Sequence, residues 1–340
     1  MKSIVITAPR RVEIIDEPLP KPLPNQILLK TVLSGISAGT EMALYRGTHP
    51  NITTKKWGYW TGYPIRPGYE NVGKVVEVGS DISGIEVGDR VIATNRHSEY
   101  TISTDATIPV YAKIPDTVTN EEALFAVLAT TTSHAIRRAR IEYGDSVLVV
   151  GQGVVGILAA QHAKNGGAGK LIVTDLADRN LKIVLQCSAD HAINASKEDV
   201  ISRVRELTNG LGADVVVEAA GTPDAMNQAV SAVRDRGRVV ILGYHTRPWT
   251  TTLGDEIFHK ELELVASRAM GPPPGLPHSY VRWGSDAGIN FSLQLIAQKR
   301  LKVKDMITHR FRYDRIADAY KMIDERKENF MMVVLEWAGK

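Results

Sequence analysis

A strand-like apolar run that leads into a glycine-rich turn constrains the fold of this chain more than any other feature. The run covers residues 146–150, and a helix-like pattern extends over residues 155–165. The turn reads Gly151, Gln152, Gly153, Val154, Val155 and Gly156, which is the spacing G-x-G-x-x-G. Glycines at this spacing permit a tight turn, close approach of a pyrophosphate to the backbone, and close packing of the helix on the strand. Since the first N–H groups of the helix would face the phosphates, the run predicts a dinucleotide site.

An acidic residue at the end of the next strand-like run narrows the choice of dinucleotide. Residues 171–174 form this run, and Asp175 follows it, 19 residues after Gly156. A carboxylate here accepts hydrogen bonds from the ribose hydroxyls and repels the 2′-phosphate of NADP. NAD is therefore the predicted cofactor, with Leu176 and Arg179 beside it, and Arg179 keeps NADP open as the second choice. A glycine-rich turn without a ligand is the alternative, which is disfavoured because strand, spacing and acid agree.

The order of strand-like and helix-like runs predicts an α/β protein with two kinds of domain. Residues 1–120 hold short strand-like runs at 3–7, 26–33, 72–78 and 90–94. Residues 121–268 hold apolar runs at 147–150, 171–174, 215–217 and 239–242, with helix-like stretches at 155–165, 180–189, 197–208 and 224–233. Such non-alternating runs are typical of buried parallel strands, so the pattern predicts a doubly wound Rossmann sheet. Residues 269–340 are predicted to return to the first domain, with helices at 290–298 and 316–324 and a strand at 331–335.

Composition excludes several classes of function. The formal net charge is +3 and no basic run exceeds a pair of residues, so no nucleic-acid partner is predicted. No apolar segment is long enough to cross a bilayer, and the start of the chain lacks a secretory signal, so a cytoplasmic protein without a membrane partner is expected. The one cysteine, Cys187, excludes sites built from several thiolates and is predicted to be a buried core residue.

Four further segments carry a resemblance to a known family. They are residues 67–91 (PGYENVGKVVEVGSDISGIEVGDRV), 144–156 (GDSVLVVGQGVVG), 214–221 (DVVVEAAG) and 237–244 (GRVVILGY). Over essentially its whole length the chain resembles the medium-chain dehydrogenase/reductase superfamily of alcohol and polyol dehydrogenases. The resemblance implies a GroES-like catalytic domain of mostly β structure and a Rossmann domain. It also implies hydride transfer between a nicotinamide and a small-molecule alcohol or ketone, and a homodimer or homotetramer.

The positions that match the zinc ligands of this family depart from its pattern. Ser37 or Ala38 stands in place of a cysteine, Tyr69 in place of a histidine, and Val127 at the third position, so that only Glu70 is retained. A tetrahedral zinc site needs three or four nitrogen, sulfur or carboxylate donors. The cysteines of the family's structural zinc lobe are also missing after residue 91. The chain therefore resembles a zinc-lacking branch that includes bacteriochlorophyllide dehydrogenases, and no zinc is predicted.

Without zinc, a side chain must donate a hydrogen bond to the substrate oxygen or take its proton. Thr40 matches the hydroxyl residue that relays the alcohol proton in the family. Tyr69 replaces a metal ligand and is predicted to face the same place, with Glu41 and Glu70 as neighbouring carboxylates. The alternative is that Tyr69 only fills the space of the lost metal.

An aromatic segment at residues 49–63 is the predicted wall or lid of the substrate pocket. His49, Trp57 and Trp60 are its pocket candidates, and an interface or a small separate core is the alternative. His49 and His97 are expected to be surface or structural histidines rather than bases, although Glu99 is close enough in sequence to orient His97.

Other cofactor contacts are expected at the carboxyl ends of later strands, where ligands bind in such sheets. The candidates there are Ala219, Ala220, Gly243, Tyr244 and Ser267. The resemblance adds Thr131, which matches a residue that packs against the nicotinamide.

Three functions remain open at this point. The first is an NAD-dependent dehydrogenase of a secondary hydroxyl in a polyol, sugar or cyclic compound. The second is an NADPH-dependent quinone or enoyl reductase of the same fold, and the third is a non-catalytic dinucleotide-binding protein. The Gly151-Gln152-Gly153 turn and Asp175 favour the first over the second.

Overall fold

The protein is described by a computed structural model over residues 1–56, 59–104, 110–273, 276–277, 279, 281–325 and 329–337. The chain divides into two compact units. The first unit comprises Met1–Val127, Pro272–Ala297 and Val303–Lys340, and the second comprises Leu128–Gly271 and Gln298–Lys302. The sequence predicts junctions after residues 120 and 268; the units change after residues 127 and 271, and the short return at 298–302 was not anticipated.

Strands and helices follow one another along the described chain. The strands are β1 (Lys2–Ala8), β2 (Arg11–Asp16), β3 (Gln26–Ile36), β4 (Asn71–Val78), β5 (Arg90–Ala93), β6 (Tyr100–Thr104), β7 (Tyr111–Lys113), β8 (Ser146–Val150), β9 (Lys170–Asp175), β10 (His191–Asn194), β11 (Ala213–Glu218), β12 (Val233–Ile241), β13 (Glu263–Ala266), β14 (Ile307–Arg312) and β15 (Met332–Glu336). The α-helices are α1 (Thr40–Arg46), α2 (Pro50–Thr54), α3 (Asn120–Leu124), α4 (Ala126–Ala139), α5 (Val154–Asn165), α6 (Asp178–Cys187), α7 (Val200–Leu207), α8 (Pro223–Ala232), α9 (Glu256–His259), α10 (Ser285–Ala297) and α11 (Ile316–Glu325). Among the described residues, none of these helices combines the length and apolarity that a membrane span requires.

The first unit is built around a mostly antiparallel sheet in the order β14-β15-β3-β4-β5-β7, with β6 also paired to β3. The exception is the parallel pair β14 and β15. One apolar cluster lies on this sheet and includes Ile27, Leu29 and Val91; a second joins β1, α1, α11 and β15. The predicted β-rich unit and the return of the last strand to it are both present.

The second unit is a parallel sheet in the order β10-β9-β8-β11-β12-β13. Its strands are apolar and buried, with Leu148, Ile172, Val216 and Val239 in one core cluster. This confirms the predicted doubly wound sheet. Since the chain runs outward in both directions from β8, the carboxyl ends of β8 and β11 form the crevice in which such sheets bind ligands.

The prediction for Cys187 is wrong. The residue closes the amphipathic helix α6 and is only partly buried, with its Sγ 3.9 Å from the carbonyl oxygen of Lys302. Its position falls toward the polar side of the helix, which the apolar run around it did not indicate.

Candidate functional site

The glycine turn after β8 is shaped by contacts that leave no room for side chains. Gly151 has a φ of 88°, and a Cβ there would lie 2.8 Å from the Cβ of Ala220. A Cβ on Gly156 would lie 1.8 Å from the carbonyl oxygen of Gly151. Only glycine fits at either position, because one needs a left-handed backbone and the other packs α5 directly on the turn.

Gly153 lies at the open side of the same turn. It is the N-cap of α5 and makes no side-chain capping bond, and no heavy atom lies within 4 Å of the place where its Cβ would be. Val154 and Val155 follow as the first helical residues, with N–H groups that have no partner within the helix. Uncapped N–H groups beside open space, at the positive end of a helix, fit a pyrophosphate.

Asp175 is tied to the turn by main-chain hydrogen bonds. Its Oδ2 accepts from the N–H of Gln152 at 2.6 Å, and its Oδ1 accepts from the N–H of Ala177 at 2.8 Å. A carboxylate has about four acceptor sites, so Asp175 retains capacity for ribose hydroxyls. The Gln152 side chain is buried and donates to the carbonyl oxygen of Val149 at 2.9 Å, which leaves only its main chain for a cofactor.

The other two candidates beside Asp175 lie on the surface. Leu176 is 71% exposed, and Arg179 is exposed in the first turn of α6. The neighbouring cation Lys197 donates to Asp178 at 2.6 Å, so its charge is already balanced by a carboxylate. Lys197 is therefore less available to a 2′-phosphate near Asp175 than an unpaired lysine would be.

A buried acid organises the carboxyl ends of β11 and β12, and sequence reasoning missed it. Glu218 accepts through Oε1 from the N–H groups of Ala220 at 2.8 Å and Gly221 at 2.7 Å. Its Oε2 lies 2.8 Å from Nε2 of His245. The candidate Ala219 donates its N–H to the carbonyl oxygen of Val150 at 2.8 Å. The signal that identifies Glu218 is an acid at the last position of a buried strand, immediately before Ala-Ala-Gly.

The remaining cofactor candidates lie close to this acid or on the neighbouring strand. A Cβ on Gly243 would lie 2.3 Å from the nitrogen of Gly221, so the two turns are in direct contact. Tyr244 is half-exposed, while the Oγ of Ser267 is buried without a hydrogen-bond partner. Thr131 accepts a hydrogen bond from the N–H of Met270 at 3.1 Å.

In the first unit, Glu41 and His97 form the centre of a buried polar cluster. Nε2 of His97 lies 3.0 Å from Oε1 of Glu41, and its Nδ1 lies 2.8 Å from Oγ of Ser34. The hydroxyl of Tyr320 donates to the same Oε1 of Glu41, and the indole N–H of Trp337 donates to Ser34 at 2.8 Å. The backbone N–H of Ser37 donates to Oε2 of Glu41 at 3.4 Å, so three partners hold this carboxyl group.

Tyr69 and Thr40, two of the predicted catalytic residues, lie together with Ser37, one of the two candidates for the first zinc-ligand position. The phenol of Tyr69 donates to Oγ of Ser37 at 2.5 Å, and it is also hydrogen-bonded to Thr40. Burial, and then the nearby carboxyl group of Glu70, raise the pKa of the Tyr69 phenol. Tyr69 is consequently a neutral hydrogen-bond donor at ordinary pH, rather than a base.

Glu70 is fully buried, and neither of its carboxyl oxygens has a hydrogen-bond partner among the residues that the structure describes. A Cβ on Gly35 would lie 2.8 Å from its Oε2, so a glycine in β3 makes the space for the carboxyl group. Burial, and then the charge of Glu41, raise the pKa of Glu70 well above its usual range. Burial therefore favours the neutral form of the Glu70 carboxyl group next to Tyr69.

Of the two alternatives expected for His49 and His97, surface or structural, the structure excludes the surface one. Each is almost completely buried. The carboxylate that pairs with His97 is Glu41, whereas Glu99 accepts the backbone N–H of Lys2 at 3.1 Å. Sequence proximity suggested Glu99, but the partner comes from α1, which only the fold brings next to the ring.

Two residues of the aromatic segment connect to Tyr69 through contacts between side-chain rings. His49 and Trp60 pack edge to face with centroids 5.4 Å apart, and Trp60 lies 6.5 Å from the ring of Tyr69. Trp60 also packs on the core cluster of β1 and α1, and Tyr59 is mostly exposed. Trp57, the third pocket candidate, lies outside the described residues.

The residues at the zinc-ligand positions do not fit a zinc ion. Ser37, Tyr69 and Glu70 supply two hydroxyls and one neutral acid, and Val127 is a buried apolar residue. Within the described ranges, no three His, Cys, Asp or Glu side chains are arranged to hold a metal.

Comparison with known proteins places this arrangement in a family. Residues 23–113 match the alcohol dehydrogenase GroES-like domain, and residues 154–283 match the zinc-binding dehydrogenase family. Sorbitol dehydrogenase of Bacillus subtilis is 30% identical over 272 residues, which cover 72% of this chain and 75% of that protein. The chain belongs to the medium-chain dehydrogenase/reductase superfamily.

This medium-chain dehydrogenase/reductase is therefore an NAD(P)-dependent dehydrogenase of the alcohol dehydrogenase-like group. L-threonine 3-dehydrogenase of Pyrococcus horikoshii is 27% identical, with 95% of each chain covered. Galactitol-1-phosphate dehydrogenase from Escherichia coli superposes with a TM-score of 0.81 at 21% identity, covering 99% of this chain and 100% of that one. The last match shows the shared fold, and it agrees with the GroES-like and Rossmann units predicted from the sequence.

Proposed function

We propose that this dehydrogenase transfers a hydride between NAD(H) and a secondary alcohol or ketone of a polyol, sugar or cyclic compound, and that it does so without zinc. Relatives whose names refer to sorbitol and to L-threonine support a secondary hydroxyl as the reacting group. A cytoplasmic location and a homo-oligomeric state remain predictions that accompany this proposal.

The preference for NAD rests on the second unit. A pyrophosphate would be held by the uncapped N–H groups after Gly153, and a ribose by the carboxylate of Asp175. A bound nicotinamide would supply the acceptor or donor of the hydride. The carboxylate of Asp175 disfavours the additional phosphate of NADP, because like charges repel at short range.

The observation that carries the proposal is the hydrogen-bonded group of Tyr69, Ser37 and Thr40. Ser37 and Tyr69 stand at positions that match zinc ligands of the family, and Thr40 matches its proton-relay hydroxyl. When a ketone is reduced, its carbon receives the hydride and its oxygen must receive a proton. Tyr69 is a neutral phenol that already donates to Ser37, so a proton given by Ser37 to the substrate oxygen is replaced from Tyr69, and Tyr69 recovers a proton from solvent through Thr40. In alcohol oxidation the hydroxyls pass the substrate's proton along the same chain in the opposite direction and release it to solvent.

The absence of a metal role follows from the chemistry of the donors. Zinc is bound by thiolates, imidazoles and ionised carboxylates. Ser37 and Tyr69 are neutral hydroxyls, and Glu70 is held neutral by burial. Hydrogen bonding by hydroxyls therefore takes over the polarisation of the substrate oxygen that zinc provides elsewhere.

A combined measurement tests both parts of the proposal. Purified enzyme is expected to contain well under one zinc per chain by elemental analysis, and to oxidise members of a polyol and cyclic-alcohol panel at the same rate with and without a strong chelator. Fluorescence titration is expected to show tighter binding of NADH than of NADPH. Loss of turnover on chelation with recovery by zinc would overturn the metal-free part, and a preference for NADPH would overturn the cofactor assignment.

An Asp175→Asn variant sharpens the cofactor test. Removing the charge is expected to weaken NADH binding roughly tenfold, the cost of one charge-assisted hydrogen bond, and to narrow the gap to NADPH. Asp178→Asn is the matched control on the same surface, where the carboxylate pairs with Lys197. Equal effects of the two variants would argue for a general charge effect instead of ribose recognition.

A further inference from the structure

A basic cavity lies at the end of α4 in the second unit. It has a volume of about 270 Å³. It is lined by Arg137, Arg138, Arg140, Arg238, Glu263 and Val265. Four guanidinium groups thus face one carboxylate. Glu263 is the first residue of β13, so the cavity is at the amino end of that strand and not at the carboxyl edge where the dinucleotide is expected.

The single carboxylate in the lining is already occupied. Arg238 donates to Oε2 of Glu263 through Nε at 3.0 Å and through Nη2 at 2.6 Å, which is a two-point contact. The Nη1 of Arg238 donates to the carbonyl oxygen of Ala139, the last residue of α4, at 2.9 Å. One arginine therefore balances the acid and also caps the end of the helix.

Arg138 and Arg140 differ from Arg137 and Arg238, the other two arginines of the cavity. Arg137 donates to Ser133 at 3.0 Å. Among the described residues, the side chains of Arg138 and Arg140 have neither a hydrogen bond nor an ion pair. The positive charge of the cluster also affects His134, on the same helix. Its pKa is lowered by burial, and then by the charges of Arg138, Arg137 and Arg268.

Attraction to the carboxyl end of α4 does not account for this cluster. A helix end of this kind favours a nearby cation by about 0.3–1 kcal/mol, and Arg238 already fills that place. Holding the guanidinium groups of Arg138 and Arg140 at one cavity costs energy through mutual repulsion unless an anion is bound. A planar guanidinium group binds two phosphate oxygens at once through a pair of N–H groups, whereas the ammonium group of lysine acts as a single point charge.

We propose that this cavity is a second ligand site, which binds a phosphate-class oxyanion through Arg138 and Arg140. The anion is either inorganic phosphate or the phosphate group of a small metabolite, since both present the same oxygens. The site does not depend on the proposed reaction and is separate from the pyrophosphate cradle at Gly151–Gly156.

Calorimetric titration of the full-length enzyme with inorganic phosphate tests the site, at constant ionic strength and with NADH at saturation to fill the cradle. One phosphate per chain is expected to bind, and the double variant Arg138→Gln/Arg140→Gln is expected to weaken binding at least tenfold. A parallel titration with a simple sugar phosphate distinguishes the two sources, since tighter binding of the ester identifies a metabolite. Arg138→Lys keeps the charge but loses the paired N–H groups, and an intermediate loss is expected.

The matched control is Arg203→Gln/Arg236→Gln, which removes two exposed charges from the same unit. Each of these arginines is paired with its own glutamate, Glu206 or Glu261. No phosphate binding in the presence of NADH, or an equal loss in the control, would overturn the proposal. So would a change of oligomeric state in the Arg138/Arg140 variant without phosphate binding, because the cavity would then serve a contact between copies of the chain. If NADH itself does not bind, the proposed function fails, and comparison of the two double variants without NADH still tests the cavity.

Discussion

His97 and Glu41 form a buried pair in which the imidazole Nε2 lies 3.0 Å from the carboxylate Oε1, although 56 residues separate them in the chain. Tyr320 donates to the same oxygen, and Ser34 is hydrogen-bonded to the other ring nitrogen. Each nitrogen of the buried ring thus has a partner. Because Glu41 follows Thr40 in α1, this pair fixes the turn that carries one of the proposed catalytic hydroxyls.

Replacing His97 by Phe is expected to lower the free energy of unfolding by about 3–5 kcal/mol, since it leaves a buried carboxylate without its main partner. Urea unfolding followed by circular dichroism measures the change. Glu99→Gln is the control, and a change under about 1 kcal/mol is expected because Glu99 accepts only a backbone N–H in this region. A larger effect of Glu99→Gln than of His97→Phe would show that the pairing is wrong.

Tyr69→Phe is expected to lower turnover by roughly 10²-fold or more, because the variant cannot supply a proton to Ser37. Affinity for NADH should stay within about twofold, since that contact belongs to the other unit. Steady-state kinetics and NADH titration separate the two effects. The control is Tyr59→Phe on the exposed part of the aromatic segment. Unchanged turnover would support the alternative that Tyr69 only fills the space of a lost metal.

The sequence predicted the Rossmann unit well because its features are local. The apolar run before Gly151, the glycine spacing and the acid at 175 all lie within one strand-helix-strand unit, and the fold places them as the pattern indicated. Short edge strands such as β10 and β13 were not predicted. With four residues each, they carry too little periodicity to stand out from the turns around them.

The polar clusters were harder to predict, because their members come together only in the folded chain. His97 meets Glu41 across 56 residues, and Tyr320 reaches the same carboxylate from the far end of the sequence. No local pattern marks a buried histidine. Glu218 is different, since an acid closing a strand of buried valines is visible in the sequence and was overlooked among the small residues that follow it.

Glu218→Ala is expected to weaken NADH binding about tenfold and to lower the free energy of unfolding by roughly 2–4 kcal/mol. The variant removes the acceptor of two N–H groups and of His245, and each buried donor left unpaired costs about 1–3 kcal/mol. NADH titration and urea unfolding give the two values. Asp224→Ala, in the exposed first turn of α8, serves as the control. Lost stability with unchanged NADH affinity would reduce Glu218 to a structural role without influence on the dinucleotide.

Glu70→Gln is expected to change the pH dependence of stability. Burial raises the pKa of Glu70 in the folded state, so the fold favours the neutral acid. Its contribution is fully present below the unfolded-state pKa, about 4.3 for a free glutamate, and is lost as the pH rises toward the raised value. Gln stays neutral throughout, so the stability of the variant relative to wild type should increase between pH 4 and pH 8. Urea unfolding across this range measures how the stability difference between variant and wild type changes with pH. For the control Glu77→Gln, on the exposed face of β4, this difference should not change with pH. A relative stability that falls with pH would instead mean that Glu70 is ionised and paired with a cation, which would also contradict the metal-free site.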